Sequence, residues 1–424
     1  MALNHEEMRM RRQQKQEQRL KKAAAQKKLL IRLGIAGAVL LLCAAVILFV
    51  ALRKTKEQMP PADTQNPGEQ TEPTEVREGV TVIHLVAAGD LNVNDTTVEA
   101  GGPAYIYTEA FLDVAHILAD ADVSVVNFEG GLYGDPFGSE TASAPQSMMQ
   151  ALADAGVDLV QLANSYSINN GVSGLRNTIT GVRLAGMEPL GAYTDNAAFA
   201  ESKGYTLKEV NGIKIAFVAF TKGMDGMALP AGSEDCVNVL YTDYSSTYQT
   251  VDTEGITEVM KAAASARPDL TVVMLHWGSE FNDTPSASQK KIVDLLQSLG
   301  ADAIIGTHPH YVQQMSLDEE TGRFVAYSLG DFFGGAARAG SEYSVLLDLE
   351  ITQEHRSGRT KITGYSYTPI FTVTEKGKTA RVVRIHEAME AYDELFLERI
   401  NETTYNSMAY ALSRIEDRVK ADEE

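Results

Sequence analysis

The chain has 424 residues, 44% hydrophobic and 22% charged, with 57 acidic against 37 basic side chains and a formal charge of −20. This is an ordinary globular composition that excludes wholesale disorder or a collagenous chain, and the length admits two or three domains. An acidic surface repels phosphates, which argues against nucleic acid as a partner. The two cysteines, Cys43 and Cys236, exclude a disulfide framework.

Residues 1–32 form a basic segment with ten Lys or Arg against three Glu. From Leu33 to Leu52 there follow 20 residues without a charge, bracketed by Arg32 and Arg53, enough for about 30 Å of helix. The run is too long for the apolar part of a cleaved signal peptide. No small-x-small site precedes Arg53-Lys54, so the expectation is an uncleaved transmembrane signal anchor at 33–52. The positive-inside rule then puts the N-terminus in the cytoplasm and the rest of the chain outside, as a single-pass protein of the cell membrane. Subtracting the +7 arm leaves −27 from Leu33 onward. Residues 53–79 hold four prolines, many Glu, Gln and Thr, and no aromatic, which predicts a stalk.

The main exported domain is expected at 80–385. Apolar, β-branched runs alternate with helical patterns: a strand at 80–89, a helix near 105–120, a strand at 123–128, a helix near 145–155, a strand at 157–163 and a helix near 171–185. The alternation continues with a strand at 213–220, a helix near 254–266, a strand at 270–277, a helix from Pro285 to about 299 and a strand at 301–308. This is βαβ grammar, so the expected class is α/β. Three further strands, 324–330, 343–351 and 360–371, lack intervening helices and predict a more antiparallel part. Residues 386–424 read as a helical tail whose apolar residues, Leu395, Ile400, Met408, Leu412 and Ile415, pack on the body.

Polar, ligand-type residues recur at the carboxyl ends of these strands: Asp90, Asn127 and Glu129, Asn164, His276, and His308 with His310. In an open α/β sheet the binding crevice lies there. Taken singly, Asp90 also fits a helix cap and Asn164 a turn. Asn127 and Glu129 are two apart, which puts both on one face of an extended strand. Gly306-Thr-His-Pro-His310 is the strongest element, because its proline favours an extended backbone before it and keeps both imidazoles on one side. His84, His116, His355 and His386 lack such company and read as structural or surface residues. Carboxylates, an amide oxygen and imidazoles without a cysteine suit Mn²⁺, Fe or Zn²⁺, and there are too many for one four-coordinate zinc. Two divalent ions sharing a bridging carboxylate would use them all and would serve metal-assisted phosphoester hydrolysis.

The ordered set Gly89-Asp90, Asn127-Phe128-Glu129, the strand ending at Asn164, His276-Trp277-Gly278, Gly306-Thr-His-Pro-His310 and Tyr327-Ser-Leu-Gly-Asp-Phe332 resembles the CapA family of capsule or poly-γ-glutamate biosynthesis proteins, itself similar to calcineurin-like metallophosphoesterases. The resemblance covers about residues 80–370. It implies a four-layer α/β/β/α sandwich outside the cell, with Asp90, Glu129, Asn164, His276, His308 and His310 around a dinuclear metal site. It also implies that Trp277 and Gly278 shape the wall beside His276, although a lone Trp equally suits a core.

Three departures stand out. Where the family usually has Asn-Asn-His followed by Asp, this chain has Asn164-Ser165-Tyr166 and then Asn169, and Asp331 stands where the family commonly has Asn. The replaced His is thought to protonate the leaving group in the related phosphoesterases, and loss of a positioned acid costs about 10²–10⁴-fold. Two readings follow. One is a membrane-anchored CapA-like hydrolase acting on an anionic polymer or phosphoester. The other is a non-catalytic scaffold or binding subunit beside an envelope polymer synthase.

Overall fold

The structure is a computed structural model that describes residues 79–335, 337–375, 379–393 and 400–420. The basic segment, the expected span at 33–52 and the stalk up to residue 78 lie outside the described residues. Among the described residues no helix is long and apolar enough to cross a membrane.

Two mixed sheets face each other. The first has seven strands: β1 (Val80–Asn92), β2 (Val123–Glu129), β3 (Leu159–Gln161) and β4 (Glu188–Leu190) run parallel from the centre to one edge. On the other side of β1 the sheet continues antiparallel through β11 (Tyr343–Glu354), β12 (Thr360–Val373) and β13 (Arg381–Arg384). The second sheet has six strands in the order β5 (Tyr205–Val210), β6 (Ile213–Thr221), β7 (Leu270–His276), β8 (Ala303–Thr307), β10 (Arg323–Ala326) and β9 (Met315–Asp318). Within it β6, β7, β8 and β10 are parallel, and the outer strands are antiparallel.

Strand periodicity assigns the layers. In β6, Ile213, Ile215, Phe217 and Ala219 join the core between the sheets, whereas Ala216, Val218 and Phe220 join a second cluster with Ile256, Met260, Ile292 and Leu296. The alternation is that of a strand buried on both faces. Those last four residues belong to helices Thr253–Ser265 and Ala287–Ser298, which cover the outer face of the second sheet. Helix Glu402–Val419 packs on β11 and β12 and buries Met408, Ala411 and Ile415. The expected helical tail is thus part of the body, and the whole is a mixed α/β sandwich of two sheets. Removing each such aliphatic side chain from water contributes about 1.5–3 kcal/mol.

Several boundaries differ from the sequence reading. The expected helix near 105–120 is two short pieces, Thr108–Phe111 and Ala115–Asp120, preceded by a single turn at Gly102–Ala104. Isolated turns of this length are sustained by tertiary contacts such as Phe111 against Phe332 and Phe333, not by helical propensity. The strands expected at 157–163 and 324–330 shorten to Leu159–Gln161 and Arg323–Ala326, because the chain beyond each turns into the crevice. Strands β4, β5, β9 and β13 and helix Asn196–Ser202 have patterns too short to stand out.

Candidate metal centre

Two glycines set the approach of the elements that carry the site. A Cβ on Gly89 would lie 1.8 Å from the Gly330 carbonyl oxygen, so only glycine lets the segment after β10 run against β1. The Asp90 amide there donates to that oxygen at 3.0 Å. The register between β1 and β2 shifts between Ala88 and Asp90, a bulge that re-aims the Asp90 side chain. A Cβ on Gly306 would meet the Tyr327 oxygen at 2.0 Å and the Trp277 indole nitrogen at 2.4 Å. Its absence allows Trp277 Nε1 to donate to that carbonyl at 2.9 Å.

From these ends a buried polar network converges. Asn127 Nδ2 donates to Asp90 Oδ1 at 2.5 Å and lies 3.3 Å from His276 Nδ1. Asn164 Nδ2 donates to Asn127 Oδ1 at 3.1 Å and to the Phe128 carbonyl at 2.7 Å, and its own oxygen accepts from the Tyr166 amide at 3.0 Å. The amides therefore form a chain that fixes the Asp90 carboxylate, whose other oxygen accepts the His308 amide at 2.9 Å. His276 Nε2 lies 3.2 Å from Glu129 Oε1 and 3.0 Å from Ser165 Oγ. His310 Nδ1 lies 2.7 Å from Asp331 Oδ1 and 3.8 Å from Asp90 Oδ2.

The expectation of an extended backbone before Pro309 is corrected by the structure. His308 has φ +92° and His310 φ +58°, left-handed values that cost a non-glycine residue on the order of 1–3 kcal/mol. The Asp90 carboxylate on the His308 amide and the Phe281 amide donating to the Pro309 carbonyl at 2.8 Å hold the turn. Its result is the one foreseen, with both imidazoles on the site side and ring centroids 6.0 Å apart. The His276 and His308 rings meet edge-on at 4.5 Å.

Burial dominates the electrostatics. It raises the Asp90 carboxyl to about 6, with the neighbouring Glu129 charge adding to the effect, and raises Glu129 to about 7. It also carries His276 down to about 3 and His308 well below the ordinary imidazole range. Burial pulls His310 down too, but the Asp331 carboxylate, with Glu129 and Asp90, outweighs this and lifts the imidazole to about 11.

The donor atoms fit a divalent cation. Both ring nitrogens of His308 and Oε2 of Glu129 are buried without a hydrogen-bond partner, at a cost of about 1–3 kcal/mol each, and a cation would meet the carboxylate oxygen and the unprotonated ring nitrogen. Glu129, His308 and His310 form one group of converging ligand atoms, and Asp90, His310 and Asp331 form another, in each case all within 4.8 Å of one another. The groups share His310. Imidazoles and carboxylates held close are ligands for a hard or borderline ion, which would displace the proton from His310 on binding. Glu129, His308, His310 and Asp331 open on a cavity of about 510 Å³.

The chain matches the family model described as bacterial capsule synthesis protein PGA_cap over residues 84–336. It belongs to this family. A Bacillus anthracis capsule biosynthesis protein CapA is 28% identical over 45% of this chain and 43% of its own length. A Bacillus subtilis PGA biosynthesis protein CapA is 26% identical over 51% of this chain and 52% of its own length. The chain thus spans about half the length of the curated relatives it matches. Solved structures align at low scores: a Mycoplasma pneumoniae phosphatase at TM-score 0.41 and 14% identity over 69% of this chain and 95% of its own, and a putative 5'-nucleotidase from Staphylococcus aureus at 0.42 and 12% over 80% and 58%. Those scores add nothing to the two-sheet architecture seen directly.

Within this PGA_cap domain Asp90, Asn127, Glu129, Asn164, His276, His308, His310 and Asp331 come together. Asn164 has both ends of its amide engaged by protein groups. Tyr166 lines the cavity, a phenol raised to about 12 by burial and by nearby Glu129, Glu280 and Asp225. Asn169 does not join them. It is exposed and its amide donates to the Thr141 carbonyl at 3.0 Å, because the turn after Ser167 carries it out of the crevice. Trp277 is buried and stacked on Tyr327 in the outer core, and Gly278 has φ +80° with its carbonyl turned to Lys222. The four histidines read as structural or surface residues lie away from the site: His84 pairs with Asp348 at 2.9 Å, His355 with Thr81 at 2.8 Å, and His116 and His386 are exposed.

Sequence reasoning missed Ser165, Lys222, Asp225, Glu280 and Phe281, all on the cavity wall. Lys222 follows the buried run of β6 directly, which is the same strand-end signal that marked His276.

Proposed function

We propose that this protein acts in the synthesis or export of a capsule or poly-γ-glutamate-type polymer at the outer face of the cell membrane, through a divalent-metal hydrolase site in its PGA_cap domain. Family membership supports the polymer. The observation that carries the site is His308, a buried imidazole with two unpartnered nitrogens beside the unpartnered oxygen of Glu129. Asp90, Glu129, His276, His308, His310 and Asp331 would hold two ions of Mn²⁺, Fe or Zn²⁺ character. When bound, such ions supply positive charge that polarises a phosphoryl oxygen and makes water more acidic. The protein's own share is to fix the carboxylates through the Asn127 and Asn164 amides and to keep the His276 and His308 imidazoles neutral by burial. The remaining parts of the reading, a signal anchor at 33–52 and a synthase partner, rest on the apolar run and on the family. The −27 charge favours an anionic polymer only across bridging divalent cations.

The test is metal content by mass spectrometry of chain purified without chelators. About two transition-metal ions per chain are expected. A folded chain with none, unresponsive to added Mn²⁺ or Zn²⁺, refutes the site.

A binding or scaffold role is favoured by one observation. The position that resembles the general acid is Tyr166, and the residue that resembles its acidic helper, Asn169, lies off the cavity. Wild-type phosphomonoesterase activity would refute that reading. Activity gained only on joining Tyr166→His with Asn169→Asp would identify a degenerate enzyme.

A further inference from the structure

The cavity wall formed by Glu129, Asp225, Glu280 and Asp331 is acidic, and one lysine stands in it. Lys222 is tied at both ends to the segment that leaves β7 at His276. Its amide donates to the His276 carbonyl at 2.8 Å and its ammonium to the Gly278 carbonyl at 3.0 Å, while the ammonium lies 5.1 Å from the Tyr248 ring centroid. A free lysine keeps about 2 kcal/mol of rotamer entropy, and this one gives it up without forming an ion pair among the described residues. The ammonium has three N–H donors, of which the Gly278 carbonyl takes one. A charge that is half out of water, pre-positioned and only partly satisfied is arranged for an anion from outside the chain. Phe281, its ring tilted against His310 at 5.3 Å between centroids, and Tyr166 line the same cavity, so an anion held by Lys222 lies in the space onto which Glu129 and His308 open.

We propose that Lys222 is the anion-positioning residue of this site, binding a substrate oxyanion, phosphate or carboxylate, beside the metal ligands. The inference rests on the metal reading above and deepens it.

The experiment uses the full chain loaded with Mn²⁺, with calorimetric titration of inorganic phosphate in one arm and of a short γ-linked oligoglutamate in the other. Lys222→Gln and Lys222→Met should lower affinity for the recognised anion about 10- to 100-fold, as loss of a charge-assisted hydrogen bond does, with Mn²⁺ content unchanged. Lys222→Arg should recover most of it. The arm that responds identifies phosphate or carboxylate as the class. Equal affinity in wild type and both neutral variants, or no binding of either anion by Mn²⁺-loaded wild type, overturns the inference while leaving the metal reading standing. Failure of wild type to take up Mn²⁺ overturns the metal reading and this inference with it.

Discussion

Replacing Gly89 by alanine tests whether the site depends on the close approach of two chain segments far apart in sequence. The new Cβ would sit 1.8 Å from the Gly330 oxygen, and contacts below 3.0 Å essentially do not occur, so that carbonyl must retreat by at least 1.2 Å. The movement breaks the 3.0 Å bond from the Asp90 amide and draws Asp331, the next residue, away from His310 and Asp90. A buried amide left unpaired costs about 1–3 kcal/mol, and overpacking a further 1–3 kcal/mol, for a loss of about 2–6 kcal/mol. In a body of roughly 350 residues each kcal/mol lowers the melting temperature by about 1.4 °C, so scanning calorimetry should show a fall of about 3–8 °C. Mn²⁺ affinity, read by titration, should fall at least about tenfold because a carboxylate that orients His310 has moved. A variant that melts within about 1 °C of wild type and takes up Mn²⁺ equally would refute the claim that glycine is required by the approach.

Saturating Mn²⁺ at about 100 times its dissociation constant should stabilise the chain by about 2.7 kcal/mol, a rise of about 4 °C reversed by EDTA, and His308→Ala should abolish the rise; an undiminished rise in the variant excludes His308 as a ligand. Trp277→Phe removes the donor to the Tyr327 carbonyl and should cost about 2–4 kcal/mol with Mn²⁺ uptake retained, whereas lost uptake in a folded variant would place Trp277 in the site after all. His84, raised by its hydrogen bond to Asp348, contributes stability that is fully present below its unfolded pKa near 6.5 and is lost as pH rises through the higher folded value. The melting-temperature gap between wild type and His84→Gln should therefore be larger at pH 5.5 than at pH 8.5, and a gap that grows with pH contradicts the pairing.

The strands were legible because each is a short apolar run with its own periodicity: 123–128, 213–220 and 270–277 appear in the structure within a residue or two of their sequence bounds. Short strands such as Glu188–Leu190, and the broken helix at 108–120, exist because neighbours cover them, and no local pattern announces that. The ligand-type residues at strand ends were likewise legible, since a carboxylate or imidazole directly after a buried run has few structural uses.

The inventory is therefore written along the chain: two-faced apolar strands, a −27 charge beyond the basic arm, and a set of carboxylates, amides and imidazoles at the strand ends. Which of them meet is set by how the two sheets come together. That arrangement brought Asp331 onto His310, placed Lys222 beside His276, turned His308 through a left-handed backbone angle, and sent Asn169 outward. The physical reason is that convergence depends on sheet register and on backbone approaches such as Gly89 to Gly330, contacts between residues hundreds of positions apart that periodicity within a strand does not encode.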